Sequence, residues 1–277
     1  MKIYITPYNI CRVLLALNTL LALFLNDNYV LFGEIISTGV FYKEYGLFFL
    51  LSEHLVFAKT ISLIVLLMVI LGIYPRFTSI PHFYISYSFV MATDVNFGAD
   101  RIASNILFLL IPICLLDNRK NHFSRNNSPK SNYICWLFYT AIIIQVSLIY
   151  FQSFYKKILI PEWRNGTAVF YYITHNEFGL GRFDFVSELL MKNKFLIYIM
   201  TWGALVIELT LSMAIFFKYF ISLRKKELLL ACGILFHFIL TFAHGLFPFL
   251  IVMSGILFVY IFPLDYQKKI EIKFRRF

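Results

Sequence analysis

Residues 133–157 read Tyr133-Ile-Cys-Trp-Leu-Phe-Tyr-Thr-Ala-Ile-Ile-Ile-Gln-Val-Ser-Leu-Ile-Tyr-Phe-Gln-Ser-Phe-Tyr-Lys-Lys157. No charge interrupts residues 133–155. A helix of about 20 apolar residues crosses a bilayer, so this stretch reads as a transmembrane helix that ends on a lysine pair. The rest of the chain has the same character. Of its 277 residues 60% are hydrophobic and only 14% charged, and the mean hydropathy is +0.75. A soluble domain carries roughly 25% charged residues, and one this apolar could not cover its surface. The fold class is therefore all-α: a polytopic helical membrane protein, forming one integral domain over residues 1–277.

About eight apolar spans follow from the pattern, near 8–25, 56–74, 79–93, 102–117, 133–155, 195–217, 228–245 and 247–263. The third is the most polar; its Pro81, His82, Ser86, Ser88 and Thr93 suit a helix facing protein rather than lipid. The net charge of +10 gathers in short loops between spans and in a basic tail over about 264–277. That distribution follows the positive-inside rule, and no nucleic-acid-reading motif accompanies it. Arg76, Arg119, Lys120, Lys130, Arg224 and Lys225 lie in one set of loops; Asp27, Glu44, Asp94, Glu162, Glu177 and Asp184 lie in the other. Both termini are thereby placed in the cytoplasm, which needs an even number of spans. The N-terminal run carries Arg12 and is followed by no small-x-small cleavage site, so it reads as a retained first helix.

Two extracytoplasmic segments are long, 26–55 and 156–194. The apolar pieces Thr167–Thr174 and Phe185–Met191 are too short to span and suit interfacial or re-entrant helices. Residues 117–132 read as a solvated cytoplasmic linker. Cys11, Cys114, Cys135 and Cys232 occur singly, toward the cytoplasmic ends of helices, which argues against disulfides and thiol chemistry. There is no phosphate-binding loop, no nucleophile elbow and no His-Glu-x-x-His; no close histidine pair offers a metal site.

Polar residues inside the spans are the candidates for chemistry. On the fifth helix Gln145, Gln152 and Lys156 share one face, with Tyr150, Ser153 and Lys157 on a strip beside it. Lysines at a helix end commonly snorkel to headgroups, and glutamines commonly bond neighbouring helices. Here the lysines lie on the side where basic residues are scarce. Adjacent ammonium groups repel and burial adds to that, so the pair also suits a general base or nucleophile. Glu208 is the acid deep in an apolar span, and His237 and His244 are seven apart on one helix face. Two readings stay open for them: a structural Glu208–histidine pair, or a proton relay. Asp100-Arg101 reads as a local ion pair at a helix start, and Arg12 as a further buried candidate.

Read together, Gln145-x4-Tyr150-Phe151, Lys156-Lys157 and Trp163-x-x-Gly166 resemble the catalytic region of the vitamin K-dependent gamma-carboxylase. Its bacterial relatives, the HTTM (horizontally transferred transmembrane) domain proteins, share that likeness. With Ile111-Pro-Ile-Cys-Leu-Leu-Asp-Asn-Arg119, Trp163-Arg-Asn-Gly-Thr-Ala168, Tyr171-Tyr172, Phe178-Gly179 and His244-Gly245, the chain is similar above all to the SdpB family, over nearly its whole length. The resemblance implies a bacterial cytoplasmic-membrane factor that matures an exported antimicrobial toxin peptide. It implies an SdpA-like partner and an SdpC-like secreted precursor. By the same resemblance Lys157 is the base and His237 its catalytic companion; Lys156 joins them as the other half of the pair, and Gln145, Tyr150, Gln152, Trp163, Gly166, Tyr171, Glu208 and His244 are candidates for pocket and support. A quinol, menaquinol in a bacterium, is the cofactor it implies. The spacing from the lysine pair to Trp163 is one residue longer than in the carboxylase, and the lumenal propeptide-binding domain has no counterpart. The sequence leaves catalysis open against a non-enzymatic scaffold or export adaptor. A small-solute transporter built on Glu208, His237 and His244 is the third reading, although no repeat halves are visible.

Overall fold

The computed structural model describes residues 2–38, 45–95, 97–124, 133–174, 188, 190 and 192–271. In chain order these form β1 (Lys2–Ile5), α1 (Pro7–Leu25), α2 (Asn28–Thr38), α3 (Leu47–Leu50), α4 (Leu55–Ile70), α5 (Pro75–Ala92), α6 (Gly98–Leu115), α7 (Tyr133–Ile158), α8 (Pro161–Arg164), α9 (Ala168–Thr174), α10 (Lys194–Phe217), α11 (Leu223–His244), α12 (Phe247–Ile261) and β2 (Lys268–Glu271). A single 3-10 turn, Ser52–His54, leads into α4.

Each of the eight apolar spans read from the sequence falls largely on a helix. Among the described residues five helical segments are long and apolar enough to cross a membrane: Pro7–Leu25, Ser52–Ile70, Gly98–Leu115, Tyr133–Ile158 and Lys194–Phe217. This is a helical membrane protein. The other three long helices fall short for visible reasons. The α5 sequence carries Arg76, Pro81 and His82; α11 opens on Arg224, Lys225, Lys226 and Glu227; α12 has 15 residues.

Local chemistry sets the helix ends. Pro7 and Pro75 begin α1 and α5, where a missing N–H costs nothing. Asn193 caps α10 by accepting the Leu196 N–H at 3.1 Å. The α4 terminus is a Schellman turn: Ile73 N–H donates to Met68 O and Gly72 N–H to Val69 O. Gly72 has φ +74°, and a Cβ there would meet the Phe123 ring at 2.9 Å.

The chain divides into two compact units, Met1–Ile142 with Ile251–Phe277, and Ile143–Leu250. The first unit packs α1, α4 and α5 around Ala16, Leu23, Leu66, Ile85 and Phe89. Segment 26–55 contributes Leu31, Phe32 and Phe48 to the same core, the two rings stacked at 4.8 Å. Gly255 of α12 lies directly against Cys11 and Leu14 of α1, a close approach that a small residue permits.

One sequence reading is extended in this unit and one needs correction. Residues 268–271 of the basic tail form an antiparallel ribbon with Lys2–Ile5, which the all-helical reading did not contain. The start of the supposed linker 117–132 is folded inward: Asp117 is 2% exposed and His122 fully buried. Asp117 draws it in, because Arg119 donates to it through Nε and Nη2 at 2.8 and 2.6 Å and Tyr8 OH donates at 2.8 Å. Arg119 also donates to the carbonyls of His122 and Ser124. Burial works against the Asp117 carboxylate, but the Arg119 bonds and charge outweigh it and hold its pKa below the usual 3.8. The motif Ile111–Arg119 therefore has a structural role at this end of the unit. Asp100 likewise turns inward and accepts from Asn18 Nδ2 at 2.7 Å, while its neighbour Arg101 is exposed. Asn18 is thus one partner of the buried Asp100 carboxylate.

Candidate functional site

The second unit is organised by two facing stripes. On α7 Val146, Tyr150, Ser153 and Lys157 recur at helical spacing; on α10 Thr201, Leu205, Glu208 and Ser212 do the same. The helices run antiparallel, with Ser147 Oγ donating to Ser212 O at 2.9 Å and Ser153 Oγ donating to Glu208 Oε1 at 2.9 Å. Lys157 Nζ forms an ion pair with the same Glu208 Oε1. The Lys157 side chain is 23% exposed and that of Glu208 4%. Glu208 Oε2 is buried and has no partner among the described residues.

Trp163 completes the corner. Lys157 Nζ lies 5.0 Å from its ring centre, a cation–π contact, and the Tyr172 ring centre is 5.9 Å from that of Trp163. The Trp-x-x-Gly spacing is a helix terminator. Thr167 N–H donates to Glu162 O and Gly166 N–H to Trp163 O, the two bonds of a Schellman turn. Gly166 has φ +74°, and any Cβ there would run into the Tyr198 ring. Gly166 thus turns the chain so that Trp163 is held inward and α9 starts beneath it. Thr201 Oγ1 accepts the Val169 N–H at 3.2 Å and secures that start.

Lys157 and Trp163 open onto a cavity of about 430 Å³. Its lining is otherwise apolar or aromatic, including Tyr172, Met200, Leu235 and Phe236, with Gly203 and Cys232 among the smaller residues. Nothing lies within 4 Å of a Cβ built on Gly203, so the space reaches the α10 backbone. Lining residues 232–240 of α11 give the cavity a length of ~12 Å along that helix. A space of this size and character suits an apolar ligand or side chains with one polar end at Lys157.

His237 sits on α11, 5% exposed, with Nε2 2.9 Å from Tyr150 OH. Among the described residues Glu208 does not pair with His237: Glu208 holds Lys157 and Ser153, and His237 holds Tyr150. The reason is register. Ser153 and Lys157 occupy successive turns facing α10, whereas Tyr150 is the α7 residue level with His237. The adjacent strip reads differently as well. Gln152 and Lys156 are exposed and Gln145 half-buried, because one residue of helix turns a side chain by about 100° away from Lys157. Tyr171 is exposed, and its neighbour Tyr172 faces the cavity. Tyr172, Ser153 and Cys232 are thus at or beside the site without having been singled out as site residues. Ser153 carried a signal in its helical spacing from Lys157, and Tyr172 in the Tyr171-Tyr172 piece of the resemblance; Cys232 carried none. The His244 side chain and most of Phe185–Met191 lie outside the described residues. No group of three or more metal-ligating side chains occurs among those described.

Comparison with known proteins bears on this geometry. The chain is 32% identical over 274 residues to "Sporulation-delaying protein SdpB" of Bacillus subtilis (strain 168), covering 93% of this chain and 81% of that protein. The chain belongs to the SdpB family. It is also 31% identical over 269 residues to "Uncharacterized protein YitO" of the same strain, covering 93% of this chain and 85% of that protein. No family model matches the SdpB-family chain described here. No solved structure matches it either.

Proposed function

We propose that this protein is a membrane factor in the production of an exported antimicrobial toxin peptide, with Lys157 acting as a general base on that peptide or its cofactor. The relative's name supports a sporulation-delaying system. The single observation that supports chemistry is Lys157 at the polar corner of an apolar cavity, beside a buried carboxylate. Glu208 is within hydrogen-bonding reach of Lys157 Nζ and is placed to exchange a proton with it. Ser153 fixes the carboxylate, and Trp163 fixes the lysine. Tyr150 and His237 form a second polar pair in the same unit.

In this reading about eight helices span the membrane, both termini are cytoplasmic, and Lys157 faces the outer side, where an exported precursor is found. An SdpA-like partner and an SdpC-like precursor act with it. The cavity lining also fits a quinol: aromatic and aliphatic walls for the ring and tail, and Lys157 at the hydroxyl end. Bound there, a quinol would supply electrons for oxygen chemistry.

The decisive comparison is Lys157→Arg. Arginine keeps the charge and the ion pair with Glu208 but does not deprotonate in proteins. Cells carrying K157R are expected to accumulate the protein normally and to secrete no processed peptide, as read by peptide mass spectrometry. Wild-type mass and yield of the peptide in both K157R and K157A cells would reject catalysis and leave a scaffold or export adaptor.

A further inference from the structure

The first unit contains a buried positive cluster that the site in the second unit does not use. Arg12 of α1 is 1% exposed. Among the described residues its one hydrogen-bond partner is Thr78 of α5, whose Oγ1 accepts from Nη2 at 3.1 Å. Arg12 Nη1 is buried without a partner. One turn further along α5 stands His82, fully buried, with both ring nitrogens unpartnered among the described residues. His122, in the inward-folded segment after α6, is also fully buried with both ring nitrogens unpartnered.

Spacing brings the three together. Tyr8 and Arg12 are successive turns of one α1 face, and Tyr8 meets the His122 ring edge-on at 6.3 Å. Asn9 Nδ2 donates to the His122 carbonyl. Thr78 and His82 are successive turns of the α5 face that meets Arg12. Both histidines feel the Arg12 charge. Burial, followed by the Arg12 and Arg119 charges, pushes the His122 pKa down to about 3.

The acid of this region is already engaged. Asp117 is saturated by Arg119 and Tyr8. Arg12 thus keeps a permanent charge in the protein interior with one hydroxyl for company. A guanidinium cannot neutralise itself by losing a proton, and an uncompensated buried ion is costly. Arg12 Nη1–H and the imidazole N–H groups are all donors seeking an acceptor.

We propose that Arg12, His82 and His122 form a binding site for a small phosphate-type oxyanion, enclosed by α1, α5 and residues 117–124. A divalent or monovalent oxyanion would accept from Arg12 Nη1 and from both histidines, and cancel the buried charge. Free phosphate and the phosphate of an anionic lipid headgroup share this chemistry, and basic pockets between membrane helices bind lipid headgroups.

The test uses the purified full chain and follows its thermal unfolding midpoint. One arm titrates inorganic phosphate into detergent at constant ionic strength set with chloride. The other compares nanodiscs of phosphatidylglycerol and phosphatidylcholine. Wild type is expected to gain several degrees in at least one arm, by preferential binding to the folded state. A gain from phosphate identifies the free ion; a gain only from phosphatidylglycerol identifies the headgroup. Arg12→Gln should abolish the gain, and His82→Phe and His122→Phe should each reduce it by half or more. Lys120→Gln, at an exposed neighbouring position, should leave it intact. If Arg12→Gln does not fold, the two histidine variants decide the matter. No gain in either arm, or a full gain retained in the site variants, overturns the proposal.

Discussion

Lys157 carries the functional argument, and its setting makes a stability prediction separate from any chemistry. Its ammonium and the Glu208 carboxylate are removed from water together, so losing one partner strands the other. Glu208→Gln is expected to destabilise the protein by about 3 kcal/mol, at the low end for a broken buried pair because Lys157 keeps some exposure. Replacing both residues with apolar ones of similar size, Lys157→Met with Glu208→Leu, should restore most of that loss. Denaturant unfolding in detergent of Lys157→Met, Glu208→Leu and the double variant measures the coupling. A double variant as unstable as the sum of the singles would show that the two side chains do not support each other. The sequence exposed Lys157 through its position and its resemblance, and Glu208 through its isolation. Their pairing was not legible, since it depends on which turn of α10 meets which turn of α7. Lys156 illustrates the limit: next to Lys157 in sequence, it points a third of a turn away.

The elements themselves were largely legible. Runs of uncharged residues fix where helices form, and Pro7, Pro75 and Asn193 mark their starts. What the pattern hides is irregular backbone that owes its place to one long-range contact. Residues 117–124 look like a polar loop, yet Asp117, Arg119 and Tyr8 draw them inside. The tail ribbon pairs residues from the two ends of the chain, a contact that no local periodicity announces. The turn at Gly166 lies between these cases. Its spacing from Trp163 was noticed, but its purpose follows from the two terminating hydrogen bonds and from the Tyr198 ring packed on it. Gly166→Ala should therefore cost about 1–2 kcal/mol for the left-handed backbone alone, with a further penalty from the ring. Adding Tyr198→Ala should relieve only the second part. Comparing unfolding midpoints of G166A and G166A/Y198A separates them, and an unaltered midpoint in G166A would show that this turn does not set the position of Trp163.

At the scale of the whole molecule, two buried bases outside the spans should shape the response of stability to pH. His122 has its pKa lowered from 6.5 to about 3 by burial and then by the Arg12 and Arg119 charges. Between these values the unfolded chain binds a proton that the folded protein refuses. Stability must then rise with pH from about 3 to 6.5, by at most about 1.4 kcal/mol per pH unit. Asp117 acts in the same sense at the acid end: its depressed carboxyl stabilises above the usual carboxylate value, and that contribution fades as pH falls through its folded value. Lys218, 1% exposed just beyond α10, is lowered from 10.5 to about 7 by burial and then by Lys226. Its penalty is full below pH 7 and disappears as pH climbs toward 10.5, so stability rises again across that window. The expected profile has two ascending steps with a shoulder near neutrality. Denaturant midpoints taken from pH 4 to 10 in detergent would trace it. His122→Phe should flatten the acid step and spare the alkaline one, while Lys218→Met should do the reverse. A profile that falls from pH 7 to 10 in wild type would mean that Lys218 keeps its proton in the folded protein, and the alkaline half of this account would fail with it.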